Sequence, residues 1–178
     1  MSITSKERFK MRKTIAELGK HRARHTELIS VYVPAGYSLD KVRQQLSGEA
    51  GTARNIKSST TRKNVQDALE RMIRALSLHK HTPPNGLAIF AGNVSEREGQ
   101  SDVQVWEVEP PTPLNTRVYR CDQAFFIEPL QAFIDIKETY GLIVIDRQEG
   151  NIALLKGKAI IPVKNFHSVV PGDTQQGG

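Results

Sequence analysis

The sequence predicts an α+β fold: a mixed, mainly antiparallel sheet packed with helices that include a long helical hairpin, followed by a short β-meander. Three observations predict it. Residues 61–78 carry apolar side chains at the spacing of one helix face. Residues 27–33, 87–91 and 103–109 are apolar or alternating runs bounded by turn residues, a pattern typical of strands. Residues 141–170 alternate short strand-like runs with turns.

The first predicted helix begins at Ser5, which can cap it, and ends near Lys20. Its apolar residues are spaced three or four positions apart and share one face: Met11, Ile15 and Leu18. A strand follows at 27–33 and ends in a Pro-Ala-Gly turn. A second helix then starts after Ser38, a residue type that caps helix N-termini well.

The second and third helices form the predicted hairpin. We expect Gly48 and Gly51 to end the second helix, because glycine lowers helix propensity. The third helix extends from about Thr61 to Leu78. The bend between them, residues 51–63, holds four basic residues and no acidic residue. A basic, hydroxyl-rich bend suits a partner with phosphates or base edges, although solvated loops have similar compositions.

After the hairpin, short strands dominate. We expect strands at 87–91, 103–109 and 115–121, with a turn at 92–93 and a short helix at 127–137. The meander that follows has no helix of its own, so we place a domain boundary after residue 138. Residues 1–138 then form one domain, and residues 139–178 are the beginning of a second. The turn-rich tail, 171–178, is expected to be mobile.

Composition limits the class of protein. The chain has 178 residues, 38% of them hydrophobic, which is enough for a folded core. Its net charge of +6 favours an acidic partner such as nucleic acid. The single cysteine, Cys121, excludes an internal disulfide framework and suits a reducing compartment. No apolar run approaches the roughly 20 residues of a membrane span, so we expect a soluble, cytoplasmic protein.

Charge is distributed unevenly along the chain. Residues 1–25 carry eight basic and two acidic residues, whereas residues 95–109 carry five acidic residues and one basic residue. Such polarity can present one face to a polyanion and turn the other away. Lysine- and arginine-rich helices are also simply soluble, so the charge alone does not identify a partner.

The side chains that could support catalysis are few. His79 and His81 stand two positions apart, do not share a helix face and have no cysteine pair beside them, so we expect no metal and no cofactor. Phosphate-loop and dinucleotide glycine fingerprints are absent. Cys121 is either a small strand residue or a nucleophile paired with a histidine, and the spacing decides neither. Tyr119 and Phe125 are equally compatible with a core or an edge position.

Three motifs occur in order along the chain. Gly-Glu-Ala-Gly-Thr-Ala at 48–53 leads into Asn-Ile-Lys-Ser at 55–58. Pro-Pro-Asn-Gly-Leu follows at 83–87, and Tyr-x-Cys-x-x-x-Phe at 119–125. In this order and spacing they resemble the class-1 peptide chain release factors of archaea and eukaryotes, the translation termination factors. The resemblance covers nearly the whole chain.

The resemblance implies a division of labour between domains. Residues 1–138 correspond to the domain that recognises the stop codon of the mRNA in the small-subunit decoding site of the ribosome, against its rRNA. Residues 139–178 correspond to the start of a middle domain, whose Gly-Gly-Gln tip promotes peptidyl-tRNA hydrolysis. Gly177 and Gly178 would begin that motif, so this chain is expected to hold no catalytic residue. A further C-terminal domain would bind a translational GTPase, and we expect a monomer.

The resemblance also implies a set of stop-codon-binding residues: Thr26, Glu49, Asn55, Ile56, Lys57, Ser58, Tyr119, Cys121 and Phe125. Unpaired codon bases are recognised by stacking and by hydrogen bonds to their exposed edges. Lys57 offers three donors for uridine carbonyls and phosphates, and Asn55 offers a donor and an acceptor. The ionised Glu49 can accept from a purine amino group.

The other members of the set have different expected parts. Tyr119 offers a ring face and a hydroxyl, whereas Phe125 is expected to hold the strand of Tyr119 in place. Ser58 is expected to cap the third helix. Thr26 matches a discriminating Gly-Thr loop of the family, although His25 stands where glycine is usual. We expect the side chains of Lys57, Glu49 and Tyr119 to face one pocket sized for three unstacked nucleotides.

Two alternatives stay open at this point. A ribosome-rescue paralogue would bind stalled ribosomes without reading a codon, although the motifs at 55–58 and 119–125 argue against it. A small hydrolase would use Cys121 or a histidine as its reactive group.

Overall fold

The computed structural model describes residues 4–95, 97, 100–134, 139–156 and 159–168 of the chain. The chain divides into two compact units, Met1–Ile134 and Asp135–Gly178. The predicted α+β class is confirmed, with helices and two antiparallel sheets. The identity of the two units as domains of a termination factor remains a prediction.

The first unit combines four helices with four strands in its described residues. Its elements are α1 (Ser5–Leu18), β1 (Leu28–Val33), α2 (Leu39–Thr52), a 3-10 turn (Ala53–Asn55), α3 (Ser59–Ser77), β2 (Leu87–Asn93), β3 (Val103–Val108), β4 (Val118–Asp122) and α4 (Glu128–Ile134). The four strands form one antiparallel sheet in the order β3-β2-β1-β4. Strand β4 is therefore at an edge of the sheet. Residues 135–137, the end of the predicted fourth helix, lie outside the described residues.

The sheet of the first unit is covered on both faces. Alternate residues of β1 point in opposite directions, as in any strand. Ile29, Val31 and Val33 pack against α2 and α3, whereas Leu28 and Tyr32 pack with residues of α1 and α4. All six residues of β1 are buried. Burial on both faces explains why the strand does not alternate apolar and polar residues. Its polar residue Ser30 is buried as well, and its hydroxyl accepts from the Phe126 N–H at 2.9 Å.

Helix α3 supplies the largest share of one core layer. Its buried apolar side chains are the predicted ones, Val65, Ala68, Leu69, Met72 and Leu76, with Ile73 half-buried beside them. Full burial of a leucine or methionine side chain stabilises the folded state by about 1.5–3 kcal/mol. The helical hairpin of α2 and α3 is thus anchored on the sheet by the periodic face of α3.

The cap of α1 differs from the prediction. Thr4, rather than Ser5, is the N-cap residue: its Oγ1 accepts from the Glu7 N–H at 3.2 Å, and the Glu7 carboxylate accepts from the Thr4 N–H at 2.9 Å. This reciprocal pair satisfies two amide groups that a helix start leaves unpaired. Ser5 has no glutamate three positions later, so it cannot form the same box. The helix ends at Leu18, with Gly19 as its C-cap.

The two glycines expected to end α2 do not end it. Gly48 and Gly51 lie inside the helix, which continues to Thr52 and passes directly into the 3-10 turn. A glycine costs a helix only about 1 kcal/mol, and the burial of Leu46 and Ala53 around these positions outweighs that cost. The bend predicted at 51–63 therefore shrinks to a few residues.

The turn predicted at residues 92–93 is also wrong. Gly92 and Asn93 lie within β2 and pair with Gln104 and Val103 of β3. A Cβ at Gly92 would lie 2.4 Å from Cδ2 of Leu28. The glycine is thus required for close packing between strands and not for a change of direction. Strand β4 also begins at Val118, three residues later than predicted.

The second unit is the predicted meander. Its strands are β5 (Thr139–Ile145), β6 (Glu149–Lys156) and β7 (Ala159–His167), paired antiparallel in that order. Several large apolar side chains of these strands are exposed: Ile143, Val144, Ile145, Ile160 and Val163. The turn at 157–158 and the tail at 169–178 lie outside the described residues, so the predicted mobility of the tail stays a prediction.

Candidate nucleic-acid interface

The connection between α2 and α3, residues 53–58, forms an elbow. Ser58 caps α3 as predicted, since its Oγ accepts from the Thr61 N–H at 3.3 Å. The Arg62 guanidinium donates to the Ile56 carbonyl at 3.2 Å. The Ile56 side chain packs against the core beneath the two helices. The elbow is therefore fixed at its middle and end, and the exposed Asn55 and Lys57 are carried on a rigid support.

Strand β4 presents two polar side chains to the layer of α2 and α3. Tyr119 and Cys121 are half-buried and pack against the same core layer as Ile56. They pair with Val31 and Ile29 of β1. Because successive side chains of a strand alternate, Arg120 points the other way.

Glu49, in the last turn of α2, interacts electrostatically with both of these side chains. Burial raises the pKa of the Tyr119 hydroxyl well above its usual range, and the Cys121 thiol and Glu49 carboxylate raise it further. Burial likewise raises the pKa of the Cys121 thiol to about 11, with added contributions from the carboxylates of Asp122, Glu27 and Glu49. At neutral pH the phenol and the thiol are therefore protonated hydrogen-bond donors.

The loop before β1 is tied to β4. The Cys121 thiol donates to the Thr26 carbonyl at 3.1 Å, and the Gln123 side-chain amide donates to the Arg24 carbonyl at 3.1 Å. The Ala23 N–H donates to the Gln123 carbonyl at 2.8 Å. These contacts place the exposed Thr26 at the same edge of the sheet as Tyr119 and Cys121.

Phe125 lies elsewhere. It is 5% exposed and packs in the core layer of α1 and α4. Its ring centroid is 5.4 Å from that of Trp106 and 5.7 Å from that of Phe90, in edge-to-face arrangements. The structure therefore does not bring Phe125 beside Glu49. Its position in the core at the end of β4 suits the predicted part of holding the strand in place.

One buried carboxylate is not predictable from the sequence. Glu27 is 7% exposed. Its Oε1 accepts from the Thr61 hydroxyl at 3.2 Å, and its Oε2 accepts from the Asn64 side-chain amide at 2.6 Å. The Asn64 carbonyl oxygen in turn accepts from the Asn93 amide at 3.2 Å. In the sequence, Glu27 is only a charged residue before an apolar run, and no local pattern indicates that it is buried.

The predicted residues thus form two neighbouring groups. Tyr119, Cys121 and Thr26 lie at the edge strand, where the Glu49 carboxylate acts electrostatically on the first two. The elbow that follows α2 carries Asn55, Ile56, Lys57 and Ser58. Donors, acceptors, a phenol ring and a cation are the groups that bind unstacked bases and phosphates. That the Lys57 side chain faces the same pocket as Glu49 and Tyr119 stays a prediction.

Two further findings concern the described residues alone. Among them, no three His, Cys, Asp or Glu side chains are placed to hold a metal ion. None of their helices combines the length and the apolar character needed to cross a membrane.

Comparison with known proteins identifies similar chains. A family model described as eRF1 domain 1 matches residues 6–135. Peptide chain release factor subunit 1 of Thermococcus kodakarensis is 53% identical over 178 residues, which are 100% of this chain and 43% of that protein. The protein of the same name from Pyrococcus abyssi is 55% identical over 170 residues, or 96% of this chain and 41% of the relative.

A solved structure agrees with these relatives. The crystal structure of an archaeal translation termination factor, aRF1, matches with a TM-score of 0.67 and 31% identity, over 92% of this chain and 45% of that one. The resemblance drawn from the three motifs is therefore confirmed. The chain spans less than half the length of the relatives it matches.

Proposed function

Since the chain belongs to the eRF1 domain 1 family, we propose that its first unit recognises mRNA stop codons in the decoding site of the ribosome. The observation that carries the proposal is that Tyr119 and Cys121 of β4 pack against the same core layer as Ala50 of α2 and Ile56 of the elbow. The Glu49 carboxylate acts on both Tyr119 and Cys121, directly before the elbow that carries Lys57. Glu49 and Tyr119 stand 70 positions apart in the sequence, and the fold brings the carboxylate within electrostatic reach of the phenol and of the Cys121 thiol.

Each group has a chemical part in this proposal. Glu49 accepts hydrogen bonds from purine amino groups, while the Tyr119 hydroxyl and ring offer a donor and a stacking face. Asn55 and Lys57 bind uracil edges and phosphates. Thr26 contributes from the loop that Cys121 holds. Stop codons would be distinguished from sense codons because a wrong base leaves one of these polar groups without a partner.

The state of Cys121 supports a binding part for this residue over a catalytic one. A nucleophilic cysteine needs a lowered pKa, because the thiolate is the reactive form. Here burial and three carboxylates raise the pKa to about 11, and the thiol proton is donated to the Thr26 carbonyl. These features disfavour the small-hydrolase alternative.

The longer protein would carry out the rest of termination in the cytoplasm. We place residues 139–178 at the start of its middle domain, with Gly177 and Gly178 opening the Gly-Gly-Gln tip that promotes peptidyl-tRNA hydrolysis. A C-terminal domain would bind the translational GTPase.

The test is stop-codon-dependent peptide release by the full-length factor with Lys57→Ala or Glu49→Gln. Loss of one specific contact is worth about 1–3 kcal/mol, so each variant should release peptide roughly 5- to 150-fold less efficiently. Lys80→Ala is the matched control. It removes the same charge beyond the far end of α3, a 19-residue helix about 28 Å long, and should leave release unchanged.

Circular dichroism must show that all variants are folded before release is compared. Wild-type release by both Lys57→Ala and Glu49→Gln would refute the assignment of the site. Equal losses in Lys57→Ala and Lys80→Ala would indicate a general charge effect rather than codon recognition.

A further inference from the structure

Glu27 is an unusual residue for its place in the fold. A carboxylate removed from water is unfavourable unless hydrogen bonds compensate it. An apolar residue would fit more simply before β1, where all six following residues are buried. The carboxylate is compensated on both oxygens, by Thr61 and by Asn64. A group held this specifically fixes the relative position of the elements that it joins.

On one side Glu27 holds the elbow. Thr61 donates its hydroxyl to Glu27, and its N–H to the Oγ of Ser58. Ser58 directly follows Lys57. The Glu27 carboxylate is therefore two hydrogen bonds away from the residue that ends the elbow. Asn64, one turn further along α3, prevents the helix from rotating about this contact, because its amide is also bonded to Asn93 of β2.

On the other side the same residue holds the edge strand. The Thr26 carbonyl belongs to the planar peptide unit that also contains the Glu27 nitrogen. That carbonyl accepts from the Cys121 thiol at 3.1 Å. A movement of Glu27 toward or away from α3 therefore moves the acceptor of Cys121. The two neighbouring groups of the candidate interface, the elbow and the edge of β4, are connected through this one residue.

Of the three carboxylates that act on Cys121, the two glutamates differ in what they can bind. Glu49 is half-exposed, so its oxygens can meet a base. Glu27 is buried and both of its oxygens already accept hydrogen bonds within the chain. A direct contact of Glu27 with a codon would require these bonds to break.

We propose that Glu27 is a positioning residue for codon recognition: bonded to Thr61 and Asn64, it sets the spacing between the elbow of Lys57 and the Tyr119–Cys121 edge. This inference rests on the proposed function of the same site. A misplacement of about 1 Å at a binding constellation can lower its efficiency 100-fold. Removal of the Glu27 carboxylate should therefore lower codon selectivity and not only the stability of the protein.

The test measures the affinity of the full-length factor for ribosomes with a stop codon or a sense codon in the decoding site. Selectivity is the ratio of the two affinities. Glu27→Ala removes both hydrogen bonds, and Thr61→Val removes one while keeping the side-chain shape. Both should lower selectivity, by about 10- to 100-fold for Glu27→Ala and less for Thr61→Val, with sense-codon affinity unchanged.

Two variants distinguish a positioning role of Glu27 from a role of its charge and from a general loss of stability. Glu27→Gln can still accept from Asn64 through its carbonyl oxygen and donate its amide to the Thr61 hydroxyl. It should therefore keep selectivity within about twofold of wild type. Val42→Ala destabilises the same core layer at the far end of α2 without touching the network, and should leave the selectivity of the folded protein unchanged.

Each result decides the matter at a temperature where all variants are folded by circular dichroism. Wild-type selectivity in Thr61→Val and Glu27→Ala, beside a loss in Lys57→Ala, would overturn the inference and leave the proposed function standing. Wild-type selectivity in both Lys57→Ala and Glu49→Gln would overturn the proposed function itself. The positioning argument is wrong if Glu27→Gln loses as much selectivity as Glu27→Ala. It is also wrong if Val42→Ala loses as much. If Glu27→Ala does not fold, Thr61→Val alone decides.

Discussion

The reactivity of Cys121 offers a direct measurement of the candidate interface. Burial and the carboxylates of Asp122, Glu27 and Glu49 raise the pKa of its thiol from 9.0 to about 11. Alkylation proceeds through the thiolate. At pH 8 about a tenth of a thiol with a pKa of 9 is ionised, against about a thousandth at a pKa of 11. Alkylation of the folded protein at pH 8 should therefore be about 100-fold slower than that of the unfolded chain.

The pH dependence separates ionisation from simple shielding. Between pH 8 and pH 10 the thiolate fraction rises about 90-fold for a pKa of 11, and only about 10-fold for a pKa of 9. Steric protection lowers the alkylation rates at pH 8 and at pH 10 by the same factor, so it leaves the ratio of the two rates unchanged. Because Cys121 is the only cysteine of the chain, iodoacetamide labelling followed by mass spectrometry reports on one site.

The control is the same protein in urea, which should show the 10-fold ratio of an ordinary thiol. The folded state at pH 10 is checked by circular dichroism. Glu49→Gln removes one of the negative charges and should lower the thiol pKa, which raises the rate at pH 8. A 10-fold ratio in the folded protein would refute the placement of Cys121 among these carboxylates.

Two further predictions concern stability, measured as the free energy of unfolding in urea. Gly48→Ala should stabilise the protein by about 0.4–1 kcal/mol, because its backbone is helical and the added Cβ meets no atom within 4 Å apart from its own helix backbone and chain neighbours. Gly92→Ala should destabilise it by about 1–3 kcal/mol, because the Cβ would meet Leu28 at 2.4 Å. Leu69→Ala should destabilise it by about 2–5 kcal/mol, since Leu69 is fully buried in the core. A loss of stability in Gly48→Ala, or none in Gly92→Ala or Leu69→Ala, would contradict the packing described above.

The elements that could be predicted are those with a periodic signal. Helix α3 follows from its 3.6-residue apolar period, and the meander from alternating runs between turns. The glycines of α2 could not be placed in the same way. The low helix propensity of glycine, about 1 kcal/mol, predicts that the helix ends at these positions. The burial of neighbouring residues such as Leu46 and Ala53 in the core stabilises the helix by more than this cost.

The candidate interface likewise has a part that the sequence predicts and a part that it does not. Its motif residues are visible in the sequence because the strings at 55–58 and 119–125 are contiguous. The contacts that organise them are not, because they join distant parts of the chain. Thr61 and Asn64 stand 34 and 37 positions from Glu27, and Thr26 stands 95 positions from Cys121. No local pattern can indicate such pairs.

The placement of carboxylates at the interface of a basic chain has a physical rationale. Contacts to phosphates supply affinity without sequence information, and contacts to base edges supply discrimination. The net charge of +6 favours association with RNA as a whole. A carboxylate such as Glu49 opposes that attraction slightly, but it distinguishes an amino group from a carbonyl, because it accepts hydrogen bonds and donates none. Under the proposals above, Glu49 would bind the base, and the buried Glu27 would hold the elements that carry the binding groups.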